Sequence, residues 1–131
     1  MKITGGKVFD LQKGFVERDV CFDGSLLTPD SRDGKTYDAA GCWVIPGLTD
    51  VHFHGCVGAD LSDGDPDGLQ AMAEYELSRG VTQICPAGMT LLEDRLLKVC
   101  RTAAAHRREN RPGADLAGVN LEGPFLSYAK R

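Results

Sequence analysis

The chain has 131 residues, 42% of them hydrophobic and 26% charged, and a net charge of −4. That length and apolar content are enough for a real core and exclude an unstructured tail. The acidic balance excludes the basic face that nucleic acid needs, and no window approaches the ~20 apolar residues of a membrane span. The start, Met1 to Gly6, lacks the apolar stretch of a signal peptide. Five cysteines, at 21, 42, 56, 85 and 100, are odd in number and widely spaced, with no Cys-x-x-Cys pair. They read as reduced thiols rather than a disulfide framework, and the expected compartment is the cytoplasm.

In chain order, residues 1–45 predict short strands punctuated by turns. Lys2-Ile3-Thr4, Lys7 to Asp10 and Phe15 to Phe22 alternate, and Asp23-Gly24 and Asp33-Gly34 are turn signals. Lys35 to Asp38 leads through Ala39-Ala40-Gly41 to Cys42-Trp43-Val44-Ile45. No helical period occurs before residue 66, so this segment reads as part of a small β-layer. Alone it would be poorly covered.

From residue 46 the pattern becomes strand, helix, strand, helix, strand. The apolar run Val44-Ile45 passes Pro46-Gly47 and resumes as Leu48 to Val51, ending in His52-Phe53-His54-Gly55. Asp65 is the expected N-cap and Pro66 the first residue of a helix whose face is Leu69, Met72, Ala73 and Leu77, stopped by Gly80. Val81 to Cys85 is a second strand, which Pro86 forbids from continuing its ladder. Thr90 and Glu93 have capping-box spacing for a second helix, with Leu92, Leu96, Val99, Cys100 and Ala103 on one face. The only basic cluster, His106-Arg107-Arg108 with Arg111, suits that helix's C-terminus. Leu116 to Leu121 is a third buried strand, terminating at Glu122-Gly123-Pro124.

Strands joined by crossover helices lie parallel, so the first and third finish at one edge. Residues i and i+2 of an extended segment share a face, which aims His52 and His54 the same way. With Glu122 at the same edge they form a candidate site for a divalent cation: zinc or iron, with manganese or cobalt as alternatives. His106 is set aside as a capping or exposed residue. Cys56 reads as a small residue near the site rather than a soft ligand, and Asp60 and Asp63 as loop carboxylates with local turn roles. Cys85 and Cys100 read as core.

The stretch from Val44 to Gly55 resembles the metal-binding first strand of the amidohydrolase superfamily. Within it, Gly118-Val119-Asn120-Leu121-Glu122-Gly123-Pro124-Phe125-Leu126 is similar to the third-strand block of the N-acetylglucosamine-6-phosphate deacetylases. His54 to Asp60, His-Gly-Cys-x-Gly-x-Asp, extends the likeness. The resemblance implies an α/β fold, the N-terminal part of a (β/α)8 barrel of the TIM type preceded by a small β-sandwich layer. Residues 1–45 would be part of the sandwich, and 46–131 the first three strands and two helices of an incomplete barrel. It implies one or two metal ions held by His52, His54 and Glu122, Glu122 standing where related hydrolases use a modified lysine. The implied reaction is metal-assisted hydrolysis of the acetamide of N-acetylglucosamine 6-phosphate, a phosphorylated amino sugar. The full-length protein would be a homodimer.

The proton-shuttling aspartate of that family is expected beyond residue 131, as are its later histidines. A (β/α)8 barrel takes about 250 residues, so the chain reads as an N-terminal piece of a longer protein: a truncation, a cleavage product or a fragment. The closing Lys130-Arg131 is compatible with trypsin-like cleavage. The segment alone is expected to be unstable and inactive. Two rival functions stand beside the deacetylase: another amidohydrolase, acting on a cyclic amide or a different N-acyl sugar, and a non-catalytic scaffold derived from a barrel.

Overall fold

The computed structural model describes residues 1–30 and 34–130, so the turn expected at Asp33-Gly34, like Arg131, lies outside the described residues. The chain divides into two compact units, Met1–Pro46 and Gly47–Arg131.

The first unit is all strand: β1 (Lys2–Thr4), β2 (Lys7–Asp10), β3 (Gly14–Glu17), β4 (Val20–Asp23), β5 (Leu26–Thr28), β6 (Thr36–Asp38) and β7 (Trp43–Val44). They form a four-stranded sheet in the order β5-β4-β1-β6 and a three-stranded sheet β3-β2-β7. The expected single run from Phe15 to Phe22 is two strands, β3 and β4, in different sheets. Strand β5 carries no sequence signal, because Leu26-Leu27-Thr28 does not alternate. It pairs with β4 across the turn at Asp23-Gly24, where Gly24 takes φ +60. Few side chains are buried here, Val8 and Cys21 chief among them. Phe15 stacks between Phe9 and Trp43, with ring centroids 5.4 and 4.5 Å away.

The second unit alternates strand and helix. It contains β8 (Leu48–Asp50), the hairpin β9 (Gly55–Cys56) and β10 (Ala59–Asp60), α1 (Pro66–Ser78), β11 (Val81–Ile84), β12 (Ala87–Gly88), α2 (Glu93–Glu109), β13 (Asp115–Leu116) and β14 (Asn120–Leu121). A 3-10 turn at Leu61–Asp63 precedes α1. Strand β11 lies between β8 and β13, parallel to both, and β12 continues parallel to β14. Leu69, Met72 and Ala73 of α1 meet Val99 and Ala103 of α2 in one cluster with Ile84 and Leu116 of the sheet. Met72, Ala73, Ile84 and Val99 are fully buried.

Helix α1 begins as its sequence dictates: Asp65 accepts from the backbone N–H groups of Asp67 and Gly68, and Pro66 opens the first turn. Gly80, at φ +86, ends it. Leu77, expected on the packed face, is exposed. Helix α2 departs further. It starts at Glu93 with Leu92 as an uncapped N-cap, so the Thr90–Glu93 capping box does not form. Thr90 instead lies against Gly123, and Leu92 is exposed.

The largest difference from expectation is at Pro86, which was expected to end its strand's pairing. Backbone bonding passes through it. Cys85 and Ala87 donate to the carbonyls of Asp50 and Phe53 on one side, and the carbonyls of Ile84, Pro86 and Gly88 accept from Ala117, Asn120 and Glu122 on the other. Pro86 lacks only its donor; its carbonyl still serves the ladder. The two-residue step from Cys85 to Ala87 is matched by a three-residue step from Asp50 to Phe53, and that from Ile84 to Pro86 by a three-residue step from Ala117 to Asn120. Each flanking segment thus carries an extra residue, a bulge, immediately before the end that bears a candidate ligand. This divides the expected third strand into β13 and β14.

Candidate metal centre

His52, His54 and Glu122 converge. The Nε2 atom of His52 lies 3.3 Å from Glu122 Oε1, and that of His54 lies 3.2 Å from the same oxygen. The imidazoles meet edge to face, with centroids 5.3 Å apart and planes at 86°. One ligand atom from each of the three residues falls within 4.8 Å of the others. Bonds of about 2.1 Å in a tetrahedral arrangement separate ligand atoms by about 3.4 Å. The nitrogen-to-oxygen spacings are close to that, and two imidazoles with one carboxylate are a donor set suited to a divalent transition metal. The residues fit such an ion.

Local structure explains the convergence. Asp50, the last residue of β8, turns its Oδ1 back to accept from the backbone N–H of His52 at 2.9 Å, which fixes the chain where it leaves the strand. The carbonyl of His54 accepts from Leu61. Gly55 then enters the β9–β10 hairpin so close to the Ala59 carbonyl that no Cβ fits. Glu122 is held by its own N–H, which donates to Gly88 at 3.1 Å.

The ring nitrogens that face away from Glu122 differ. His52 Nδ1 lies 3.0 Å from the side-chain amide nitrogen of Asn120, which also donates to the Val51 carbonyl at 3.3 Å. His54 Nδ1 is buried with no hydrogen-bond partner among the described residues. Neither Asp50 nor Asn120 was singled out from sequence. An Asp two residues before a histidine was a usable signal for the first; nothing local marked the second, whose partner is 68 residues away.

The secondary candidates do not join the cluster. Asp60 caps the 3-10 turn by accepting from Ser62 N–H, and the Asp63 carbonyl accepts from Lys98. Cys56 packs against the core, and burial together with the Glu76 carboxylate holds its thiol above the usual range. Cys85 and Cys100 are half-buried. His106, expected to be a capping or exposed residue, is instead buried. It is 7% exposed, and burial, reinforced by Arg111, holds its pKa below the ordinary value against the opposing pull of Glu109.

No family model matches the chain. Among individual proteins, the N-acetylglucosamine-6-phosphate deacetylase of Bos taurus is 33% identical over 137 aligned residues, 98% of this chain. The chain is similar to part of an N-acetylglucosamine-6-phosphate deacetylase. It spans 29% of the length of that relative. The solved deacetylase of Thermotoga maritima matches 98% of this chain and 34% of its own, with 26% identity and a TM-score of 0.75. That of Pasteurella multocida, at 19% identity, shares the fold with a TM-score of 0.82 over 98% of this chain and 35% of its own.

Proposed function

We propose that this chain supplies the metal-binding part of a hydrolase that removes the acetyl group of N-acetylglucosamine 6-phosphate, releasing glucosamine 6-phosphate and acetate. The observation that carries this reading is the meeting of His52, His54 and Glu122 at one point, in a chain similar to deacetylases of that name over nearly its whole length. The alternating strands and helices of the second unit support the first three strands of a (β/α)8 barrel over residues 46–131, with the two sheets of residues 1–45 as part of a β-sandwich.

In this reading His52 and His54 hold the ion through Nε2, and Glu122 adds an anionic oxygen that offsets its charge. The ion would be zinc or iron(II), which when bound brings water into its hydroxide form near neutral pH and polarises an amide oxygen. The chain's own contribution is placement. Asp50 and the hairpin beginning at Gly55 bracket the histidines, so both rings are aimed before an ion arrives. His52 and Glu122 are exposed and His54 is half-buried, which leaves one side of the site open to substrate. Proton transfer falls to an aspartate outside these 131 residues.

The test uses the protein that carries this chain. Acetate release from N-acetylglucosamine 6-phosphate is measured beside hydrolysis of hydantoin and dihydroorotate. The expected result is activity on the amino sugar alone, lost on chelation and restored by zinc or iron(II). His52→Ala and Glu122→Ala should lose bound ion and activity together. Turnover of the cyclic amides only, or full activity and ion content in both variants, overturns the proposal.

A further inference from the structure

We propose that Asn120 is a positioning residue that sets the tautomer of His52, a proposal that rests on the metal-centre reading above. The amide nitrogen of Asn120 carries two hydrogens and faces two acceptors, the Val51 carbonyl at 3.3 Å and His52 Nδ1 at 3.0 Å. An amide NH2 only donates, so Nδ1 must accept and the ring hydrogen resides on Nε2. Glu122 Oε1 lies 3.3 Å from that nitrogen. A cation on Nε2 needs that atom's lone pair, and the ring hydrogen must move to Nδ1.

The exchange leaves the ring neutral but reverses what Nδ1 requires of its neighbour, from a donor to an acceptor. An asparagine meets both requirements: rotation about its last side-chain bond replaces the NH2 with Oδ1. The Val51 bond is given up in the rotated state, and an Nδ1–H···Oδ1 bond is gained. An aspartate could serve only the ion-loaded form, and leucine or alanine neither. His54 provides an internal comparison, because its Nδ1 has no partner among the described residues. Second partners of metal-binding histidines fix ring orientation and contribute about 10–100-fold to affinity.

The experiment measures zinc affinity by competition with a chromophoric chelator, and the histidine tautomers by long-range proton–nitrogen correlation, in the full protein with and without zinc. Wild type should carry the His52 hydrogen on Nε2 without zinc and on Nδ1 with it. Asn120→Asp should hold it on Nδ1 even without zinc, with affinity at or above wild type. Asn120→Leu and Asn120→Ala should bind zinc about 10–100-fold more weakly, with an unchanged His54 signal. Affinity within twofold of wild type in both the Leu and Ala variants overturns the proposal, as does an Asp variant with the wild-type tautomer. His52→Ala and Glu122→Ala separate the two readings. If they too keep full affinity, the metal centre itself falls. If they lose zinc while the Leu variant keeps it, only the role of Asn120 falls.

Discussion

A histidine's behaviour here depends on what faces each of its two nitrogens, and the three in this chain occupy three environments. His52 has a partner on both sides, His54 on one, and His106 sits in the core beside α2's basic end. The last makes a prediction about acid stability. The folded pKa of His106 is depressed, so the unfolded chain binds more protons than the folded one once pH falls below the ordinary histidine value, about 6.5. Stability that is complete above that pH is therefore lost progressively as pH falls toward the depressed folded value. Arg111 strengthens the effect and Glu109 opposes it. Thermal unfolding at pH 7.5 and 5.5 should show a smaller acid loss in His106→Gln than in wild type. An identical loss in both would mean that His106 takes up its proton in the folded state without penalty.

Among the elements, the informative contrast is between two helix starts of similar appearance. Asp65 caps α1 with two backbone bonds, whereas Thr90 caps nothing. Asp65→Ala should destabilise by about 1 kcal/mol, within the usual range for a lost N-cap. Thr90→Ala should lose no capping energy, and denaturant unfolding of the two variants checks the difference. The hairpin after the histidines permits a stronger prediction. A methyl group at residue 55 would run into the Ala59 carbonyl oxygen, part of the backbone that pairs β9 with β10. Gly55→Ala should cost about 1–3 kcal/mol, as overpacking does. It should also weaken zinc binding, because the hairpin fixes the exit of His54. Gly14→Ala, with open space around its Cβ but φ +73, should strain only its own turn and leave zinc affinity unchanged.

Across the whole molecule, the parallel sheet of the second unit has three strands, and parallel sheets are ordinarily covered on both faces. Leu48, Val51, Leu121 and Phe125 are exposed, Phe125 almost completely at 98%. Unpaired parallel edges and bare apolar side chains favour self-association. The 131-residue chain should bind a hydrophobic dye and form concentration-dependent oligomers, by light scattering. Monodisperse behaviour without dye binding would show these surfaces to be tolerated.

Sequence by itself determined the alternation of the main strands and helices in the second half, the first helix's cap and all of its packed face but Leu77, and the three side chains that meet at one edge. These rest on short-range rules: Asp65-Pro66 is a local start signal, helical spacing repeats every few residues, and an apolar run ending in His-x-His or Glu-Gly-Pro marks a strand's end. Tertiary structure alone decided the rest. Thr90 follows the capping rule yet is drawn to Gly123, and His106 follows the rule for a basic helix end yet is buried. Pro86 lacks a donor, but its carbonyl is used, because the bulged segments on either side bring Ala117 to Asn120 and Asp50 to Phe53 past it. Asn120 reaches His52 from 68 residues away. Contacts of that separation depend on which chain segments become neighbours, and no local rule of propensity or spacing contains that information.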